Sequence, residues 1–312
     1  MTAERRKGLK DHLLEEIVKS GFPLEIQVSS ILEDHDWVVM NNQPFRDPDE
    51  DKLRSVDILA FHEPTASDFT RYRPLAFSPQ LIIECKKSIS HAWVFFSRPE
   101  RCKVFPMSGQ VYDFPEEFST EAYKNRNKLS PIGSFSYEYY FNSFVDSSKG
   151  VQHIHYADFD NVAITYDEYR IKRNAKRRVL SKTRKEIFES VNQAVKFQSF
   201  DMEESIRAPG RIKSATSPFF PIEISFLAIV FDGRLFEVTM ANNRPMIEEK
   251  DHVLLYYRYR PRETSVNVDF WIDIVKKGFF SAYLRKIHRD IALISDKIVS
   301  ETKLLSAYLK KD

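Results

Sequence analysis

The chain is organised around the stretch LIIECKKS at residues 81–88, an apolar run that ends abruptly in charged side chains. Such a run, bounded by polar residues, is typical of a buried strand. Side chains alternate between the two faces of a strand, so Glu84 and Lys86 share one face while Cys85 points to the other. The stretch therefore predicts a strand that places an acid and a base side by side.

A second apolar segment, SVDILAF at residues 55–61, carries one acid among apolar neighbours. We expect it to form another strand and to pair as a hairpin with a short strand at Trp37–Met40. Asp57 would then project beside Glu84 and Lys86. Carboxylate oxygens are the ligands that Mg²⁺ prefers, so Asp57 and Glu84 are candidate metal ligands, and the backbone carbonyl of Cys85 can add a third oxygen.

The composition is that of a globular protein and argues against several function classes. The chain has 312 residues, of which 42% are hydrophobic, enough for a sizeable core. Its 47 basic and 45 acidic residues nearly balance, so any signal for a polyanionic partner must be local. No phosphate-binding loop, dinucleotide fingerprint or GxSxG elbow occurs, which disfavours nucleotide hydrolysis, hydride transfer and serine hydrolase chemistry. Two cysteines and no long apolar run predict a cytoplasmic protein without a membrane partner.

Helical periodicity is found on both sides of these strands. Leu9–Lys19 has the pattern of an amphipathic helix, and a second helix begins near Pro23. Glu25 lies at the start of that second helix, where the helix dipole would favour an acid. Thr183 and Glu186 have capping-box spacing, which predicts a third helix that runs to about residue 200.

Further strands are expected after the third helix. The most apolar one covers residues 221–231, and Asp232–Gly233 predicts a tight hairpin turn into a strand at 235–238. Another strand is expected at Val253–Tyr259. From Phe280 to Tyr308, apolar residues recur at alternating spacings of three and four, which predicts a long helix. This helix either packs on its own domain or forms a homodimer.

Residues 89–169 form the least regular part of the sequence. Repeated prolines and many aromatic residues predict a packed insertion there, with a possible strand at 93–96. His153 and His155 are spaced to share one strand face, but no third ligand is nearby in sequence. We expect one α/β domain over residues 1–265, which contains this insertion, and a helical extension over residues 266–312.

The order of helix, three strands, helix and strand, together with IIECK at residues 82–86, resembles the PD-(D/E)xK nuclease superfamily. The resemblance covers residues 10–90 and 180–235. It implies a restriction-endonuclease-like fold, in which a central mixed β-sheet is flanked by helices. One departure is that Val56 stands before Asp57 where the family pattern has proline.

The resemblance also implies roles for particular residues. Asp57 and Glu84 match the metal-binding acids, Lys86 matches the catalytic lysine, and Glu25 matches the acid often found on the first helix. The implied cofactor is Mg²⁺ or Mn²⁺, and the implied activity is hydrolysis of phosphodiester bonds in DNA.

A basic segment at residues 170–185 is the strongest local charge signal, with nine basic residues and no acidic one. Contacts from arginine and lysine to phosphates supply sequence-independent affinity for nucleic acid. The candidate nucleic-acid-binding residues are Lys172, Arg173, Lys176, Arg177, Arg178, Lys182, Arg184 and Lys185. The alternative is a solvated helix face. Residues 256–262 interleave tyrosines with arginines, which suits either strand packing or base stacking.

Two other functions remain open from the sequence. One is a module of the same fold that has lost catalysis and only binds nucleic acid or a partner. The other is a structural or oligomerisation protein organised by the C-terminal helix.

Overall fold

A computed structural model describes residues 8–62, 75–99, 109–111, 159–171, 180–183, 185–207, 220–260, 262 and 268–292. The fold is α/β, with one large mixed sheet and a few helices, as expected. The helices are α1 (Leu9–Lys19), α2 (Phe22–Glu33), α3 (Lys185–Arg207) and α4 (residues 280–292). Among the described helices, none combines the length and the apolar character that crossing a membrane requires.

The described strands form a single 10-stranded sheet in the order β1-β2-β3-β5-β9-β10-β7-β4, with β6 on β5 and β8 on β7. β3 also pairs in parallel with β7, so these two strands are neighbours although they stand apart in this order. The strands are β1 (Trp37–Arg46), β2 (Leu53–His62), β3 (Leu75–Pro99), β4 (Gly109–Val111), β5 (Asn161–Ile171), β6 (Leu180–Thr183), β7 (Phe220–Ala241), β8 (Arg244–Glu249), β9 (His252–Tyr259) and β10 (Val268–Lys276).

The first three strands form an antiparallel meander. The expected hairpin of β1 and β2 is confirmed, with Val39 opposite Ala60, and β2 pairs antiparallel with β3. β1 runs on to Arg46, six residues beyond the predicted strand at Trp37–Met40. The backbone of these residues continues the ladder, although several of their side chains are exposed. This meander carries the two strand segments that hold the predicted acids.

Helices cover the sheet on both faces. α2 and α4 pack on one face through Leu24, Val28, Phe280 and Leu284, and α3 packs on the other through Ile187, Val191 and Val195. The second and third predicted helices are therefore confirmed, although α3 runs on to Arg207. α1 has its predicted bounds, but its apolar side chains are 50–76% exposed, namely Leu9, Leu13, Leu14, Ile17 and Val18.

The hairpin turn predicted at Asp232–Gly233 is wrong, because β7 continues through it. A Cβ atom on Gly233 would lie 2.8 Å from the Ser88 carbonyl oxygen, so glycine is needed there for the close approach of two strands. The register between β3 and β7 also shifts at this level. The turn lies instead at Asn242 and Asn243, whose φ angles of 51° and 60° are those of a type I′ hairpin.

Part of the expected insertion, residues 89–99, 109–111 and 161–169, belongs to the sheet. β3 continues past its register shift with β7 to Pro99, which confirms the strand expected at 93–96. β5 lies between β3 and β9. The pattern concealed β5 because two acids, Asp167 and Glu168, are buried in it beside Val162 and Ala163. β3 also begins earlier than predicted, at Leu75, six residues before the apolar run at 81–88. His153 and His155 lie outside the described residues.

The extension expected over 266–312 is not purely helical, because it begins with β10. This strand lies between β9 and β7, and its buried side chains include Phe270, Ile272 and Ile274. The helix predicted from Phe280 follows, and its described part packs in the core of its own domain. Its predicted continuation beyond residue 292 lies outside the described residues.

Candidate active site

The apolar runs of β2 and β3 end side by side. Ile58 pairs with Ile83 in this antiparallel ladder. Asp57, which precedes Ile58, and Glu84, which follows Ile83, therefore lie at the same end of it. The backbone N–H of Cys85 donates a hydrogen bond of 2.7 Å to Asp57 Oδ2, and Lys86 Nζ lies 3.3 Å from Glu84 Oε2. The two strands thus bring both predicted acids and the predicted lysine into one cluster.

Glu25 approaches this cluster from the first turn of α2. Burial and the nearby Asp57 carboxylate raise the pKa of Glu25, whereas the Lys86 ammonium lowers it. Gly21 at the start of α2 leaves room for this side chain, because a Cβ atom there would lie 3.1 Å from Glu25 Oε1. Glu25 therefore interacts electrostatically with Asp57 and Lys86, and both of these residues interact with Glu84.

Glu84 is the most unusual member of the cluster. Its side chain is 0% exposed, and among the described residues its carboxylate is approached by the Lys86 ammonium and by the backbone N–H of Asp57, neither of them in good hydrogen-bonding geometry. Burial and the Asp57 carboxylate raise its pKa to about 8, although the Lys86 ammonium opposes the shift. A buried polar atom without a hydrogen bond is costly and uncommon, so this carboxylate retains capacity to bind a ligand.

Asp57 and Lys86 complete the electrostatics of the cluster. Burial raises the pKa of Asp57, against the opposing effects of Lys86 and the Cys85 N–H. Burial lowers the pKa of Lys86, but the carboxylates of Glu84 and Asp57 outweigh it, so this pKa lies above its usual value. Lys86 is therefore a cation at neutral pH.

Cys85 contributes through its backbone. Its side chain is buried in the core with Ile83 and Val230, and burial raises the pKa of the thiol well above its usual value. A protonated thiol is a poor metal ligand. The use of its carbonyl oxygen as a ligand stays a prediction.

These donors fit a hard divalent cation. Asp57 and Glu84 offer carboxylate oxygens from two rigid strands, and the hydrogen-bonding capacity of Glu84 is unfilled within the described residues. Oxygen donors of this kind suit Mg²⁺ and Mn²⁺.

The end of α1 is fastened next to the cluster. Lys87, the residue after Lys86, donates a hydrogen bond of 2.9 Å from Nζ to the Val18 carbonyl oxygen. The exposed apolar face of α1 therefore begins close to the candidate site.

Most of the basic segment at 170–185 lies outside the described residues. Lys172, Arg173, Lys176, Arg177, Arg178 and Arg184 lie outside the described residues. Lys182 is in β6, and Lys185 begins α3 with an exposed side chain 3.9 Å from Glu189. A role for these eight residues in binding nucleic acid stays a prediction.

The tyrosine- and arginine-rich stretch favours strand packing. Tyr259 is buried, and its hydroxyl donates a hydrogen bond of 2.9 Å to Asp49 Oδ2. The guanidinium of Arg258 lies 5.8 Å from the ring centroid of Tyr256.

A second cluster was not predicted from the sequence. His91, Glu168 and Glu186 have potential metal-ligand atoms within 4.8 Å of one another. These residues come from three separate elements, and Glu186 was interpreted as a helix cap. No short motif marks them, so only the tertiary structure reveals the cluster.

Compared with protein-family models, with curated proteins and with solved structures, the chain has no significant match.

Proposed function

We propose that the protein is a metal-dependent nuclease that hydrolyses phosphodiester bonds in DNA. The observation that carries this proposal is the buried Glu84 carboxylate, which lies with Asp57, Lys86 and Glu25 and has only poorly aligned contacts with the Lys86 ammonium and the Asp57 N–H among the described residues. A stable fold has little reason to retain such a group unless it binds something.

The arrangement of elements supports a restriction-endonuclease-like core. α2, the meander β1–β2–β3, then α3 and β7 follow one another in the order implied by the resemblance, and β7 runs parallel to β3. β5, β9 and β10 enlarge the sheet beyond that core.

Asp57 and Glu84 would hold Mg²⁺ or Mn²⁺, with the Cys85 carbonyl as a further oxygen. When bound, the ion supplies charge neutralisation at the phosphate and lowers the pKa of water. The raised pKa of Glu84 means that this carboxylate must lose its proton when the ion binds.

Lys86 supplies the fixed positive charge of the site. Its raised pKa keeps it protonated, so it can orient a water molecule and stabilise negative charge that develops on the phosphate. Glu25, with a raised pKa, is placed to exchange a proton with that water. The basic segment at 170–185 would supply contacts to the DNA backbone.

The direct test is cleavage of DNA with Mg²⁺ by wild type and by Asp57→Asn and Lys86→Ala. We expect wild-type cleavage and a loss of at least about 100-fold in each variant, since both residues act on charge in the transition state. Asp51→Asn is the matched control, because Asp51 is an exposed acid paired with Arg46. Full activity in Asp57→Asn and Lys86→Ala would remove the proposed site.

The same preparations separate the other two functions. Salt-dependent DNA binding that survives Asp57→Asn, without cleavage under any divalent metal, would indicate a binding module. No binding at all would favour a structural protein.

A further inference from the structure

Three elements converge on a histidine and two carboxylates that the proposed nuclease site does not use. His91 lies on β3 where its register with β7 shifts, Glu168 on β5, and Glu186 in the first turn of α3. His91 Nδ1 is 3.6 Å from Glu168 Oε1 and 3.9 Å from Glu186 Oε1. Donors from three separate elements are held around one point.

The His91 imidazole makes no hydrogen bond to either carboxylate, whereas the Glu168 and Glu186 side chains share one with each other. Both distances from His91 exceed hydrogen-bonding range. Glu168 Oε2 accepts a hydrogen bond of 3.2 Å from the backbone N–H of Glu186, and the Ser88 and Ser90 hydroxyls lie 3.1 and 3.2 Å from His91 Nδ1. The His91 imidazole is the side chain that lies within 4.0 Å of both carboxylates.

Burial makes the arrangement costly without a cation. Glu168 is 1% exposed, and burial, followed by the charge of Glu186, raises its pKa to about 7. Two adjacent carboxylates repel each other when both are ionised. A divalent ion between them and the imidazole would remove that repulsion.

We propose that His91, Glu168 and Glu186 bind a divalent transition-metal ion of the Zn²⁺ or Mn²⁺ class, at a site separate from Asp57 and Glu84. One imidazole nitrogen and two carboxylate oxygens are a donor set that such ions accept. Ligand atoms around tetrahedral Zn²⁺ lie about 3.3 Å apart, so the observed separations from His91 need to close by only a few tenths of an ångström. The Glu186 side chain is 43% exposed, which leaves an entry path.

The bound ion would clasp β3, β5 and α3 together. His91 follows Lys86 by five positions on the same strand, so the clasp would also restrain the strand that carries the nuclease lysine. This role does not depend on nuclease activity, and binding at the site stands or falls on its own.

The test is calorimetric titration of the full chain with Zn²⁺, followed by thermal unfolding with and without the ion. Wild type, His91→Ala and Glu186→Gln are compared, and the Asp57→Asn background isolates this site from the other one. His12→Ala is the matched control, because His12 is an exposed histidine on α1.

We expect one Zn²⁺ site to remain in Asp57→Asn, with affinity at least about tenfold weaker in His91→Ala and in Glu186→Gln but unchanged in His12→Ala. Zn²⁺ should raise the midpoint of thermal unfolding of wild type and not that of His91→Ala. Equal Zn²⁺ affinity in wild type, His91→Ala and Glu186→Gln would overturn the proposal. So would complete loss of Zn²⁺ binding in Asp57→Asn. Glu186→Gln, at an exposed position, keeps the test valid if His91→Ala fails to fold.

Discussion

Two buried carboxylates in this protein have opposite surroundings. Asp47, 1% exposed, accepts hydrogen bonds from the backbone N–H groups of Asp49 and Glu50 and from the side chains of Arg54 and Lys196. Glu84, 0% exposed, has two poorly aligned contacts among the described residues, with the Lys86 ammonium at 3.3 Å from Oε2 and with the backbone N–H of Asp57.

The difference in surroundings produces opposite pKa shifts. For Asp47, burial raises the pKa, but the hydrogen bonds from Lys196, the Asp49 N–H and Arg54 outweigh it and the pKa falls below its usual value. For Glu84, burial and Asp57 prevail and raise the pKa to about 8. The protein itself stabilises the charge of Asp47, whereas Glu84 retains coordination capacity for an external cation. The first is a structural carboxylate, and we propose that the second is a metal ligand.

The largest expected effect on stability is at Asp47. Asp47→Ala should lower the free energy of unfolding by about 3 kcal/mol, because it removes the acceptor of two backbone N–H groups and the shared partner of Lys196 and Arg54, which retain their pairs with Asp49 and Glu50. Urea denaturation of the variant measures the loss. Asp51→Ala, at an exposed ion pair, should cost less than about 1 kcal/mol. Equal effects of the two substitutions would show that burial of Asp47 contributes nothing.

Glu84→Gln should have the opposite effect when metal is removed with a chelator. The folded protein keeps the Glu84 proton up to about pH 8, whereas the unfolded chain releases it near the ordinary value of 4.5. Folding stability therefore falls as pH rises from about 4.5 to about 8, because the folded state binds more protons over that window.

Glutamine cannot ionise, so the variant should lack this decline and be more stable than wild type at pH 9, on the order of 2 kcal/mol, with little difference at pH 5. Urea denaturation at the two pH values measures it. Parallel stability curves for variant and wild type would mean that Glu84 is not held protonated in the fold.

A smaller effect is expected where α2 meets the cluster. In Gly21→Ala the new methyl group would lie 3.1 Å from Glu25 Oε1 and push that carboxylate aside, although the helical backbone angles at position 21 accept alanine. We expect DNA cleavage to fall by about threefold, because displacements well under 1 Å cost less than the roughly 100-fold loss of a 1 Å misplacement. Gly278→Ala is the control, since a Cβ atom there meets nothing within 4 Å. An unchanged rate in Gly21→Ala would argue that the position of Glu25 is unimportant.

The sequence predicted the Glu84 cluster because its signal is local. Asp57, Glu84 and Lys86 each stand in or at the end of an apolar run, and strand alternation alone places two of them on one face. The role of Asp47 was missed because it lies in the polar stretch that follows the predicted strand at Trp37–Met40. Its partner Lys196 is 149 residues away. Hydrogen bonds over such separations have no sequence signature.

Errors elsewhere have the same origin. Asp232–Gly233 was predicted to be a turn from its local chemistry, but Gly233 is required by the approach of the Ser88 carbonyl from another strand. β5 was missed because its buried acids, including Glu168, break the apolar alternation on which strand prediction depends. In both places tertiary contacts, which the sequence pattern does not contain, decide the structure.

We propose that Glu84 is a protonated, buried carboxylate which exchanges its proton for a divalent cation. Calorimetric titration with Mg²⁺ at pH 7, repeated in two buffers of different ionisation enthalpy, measures the protons released for each ion bound. We expect release of about one proton by wild type and Asp47→Asn, with binding weakened at least about tenfold in Glu84→Gln. Equal Mg²⁺ affinity in wild type and Glu84→Gln, or binding to wild type without proton release, would contradict it.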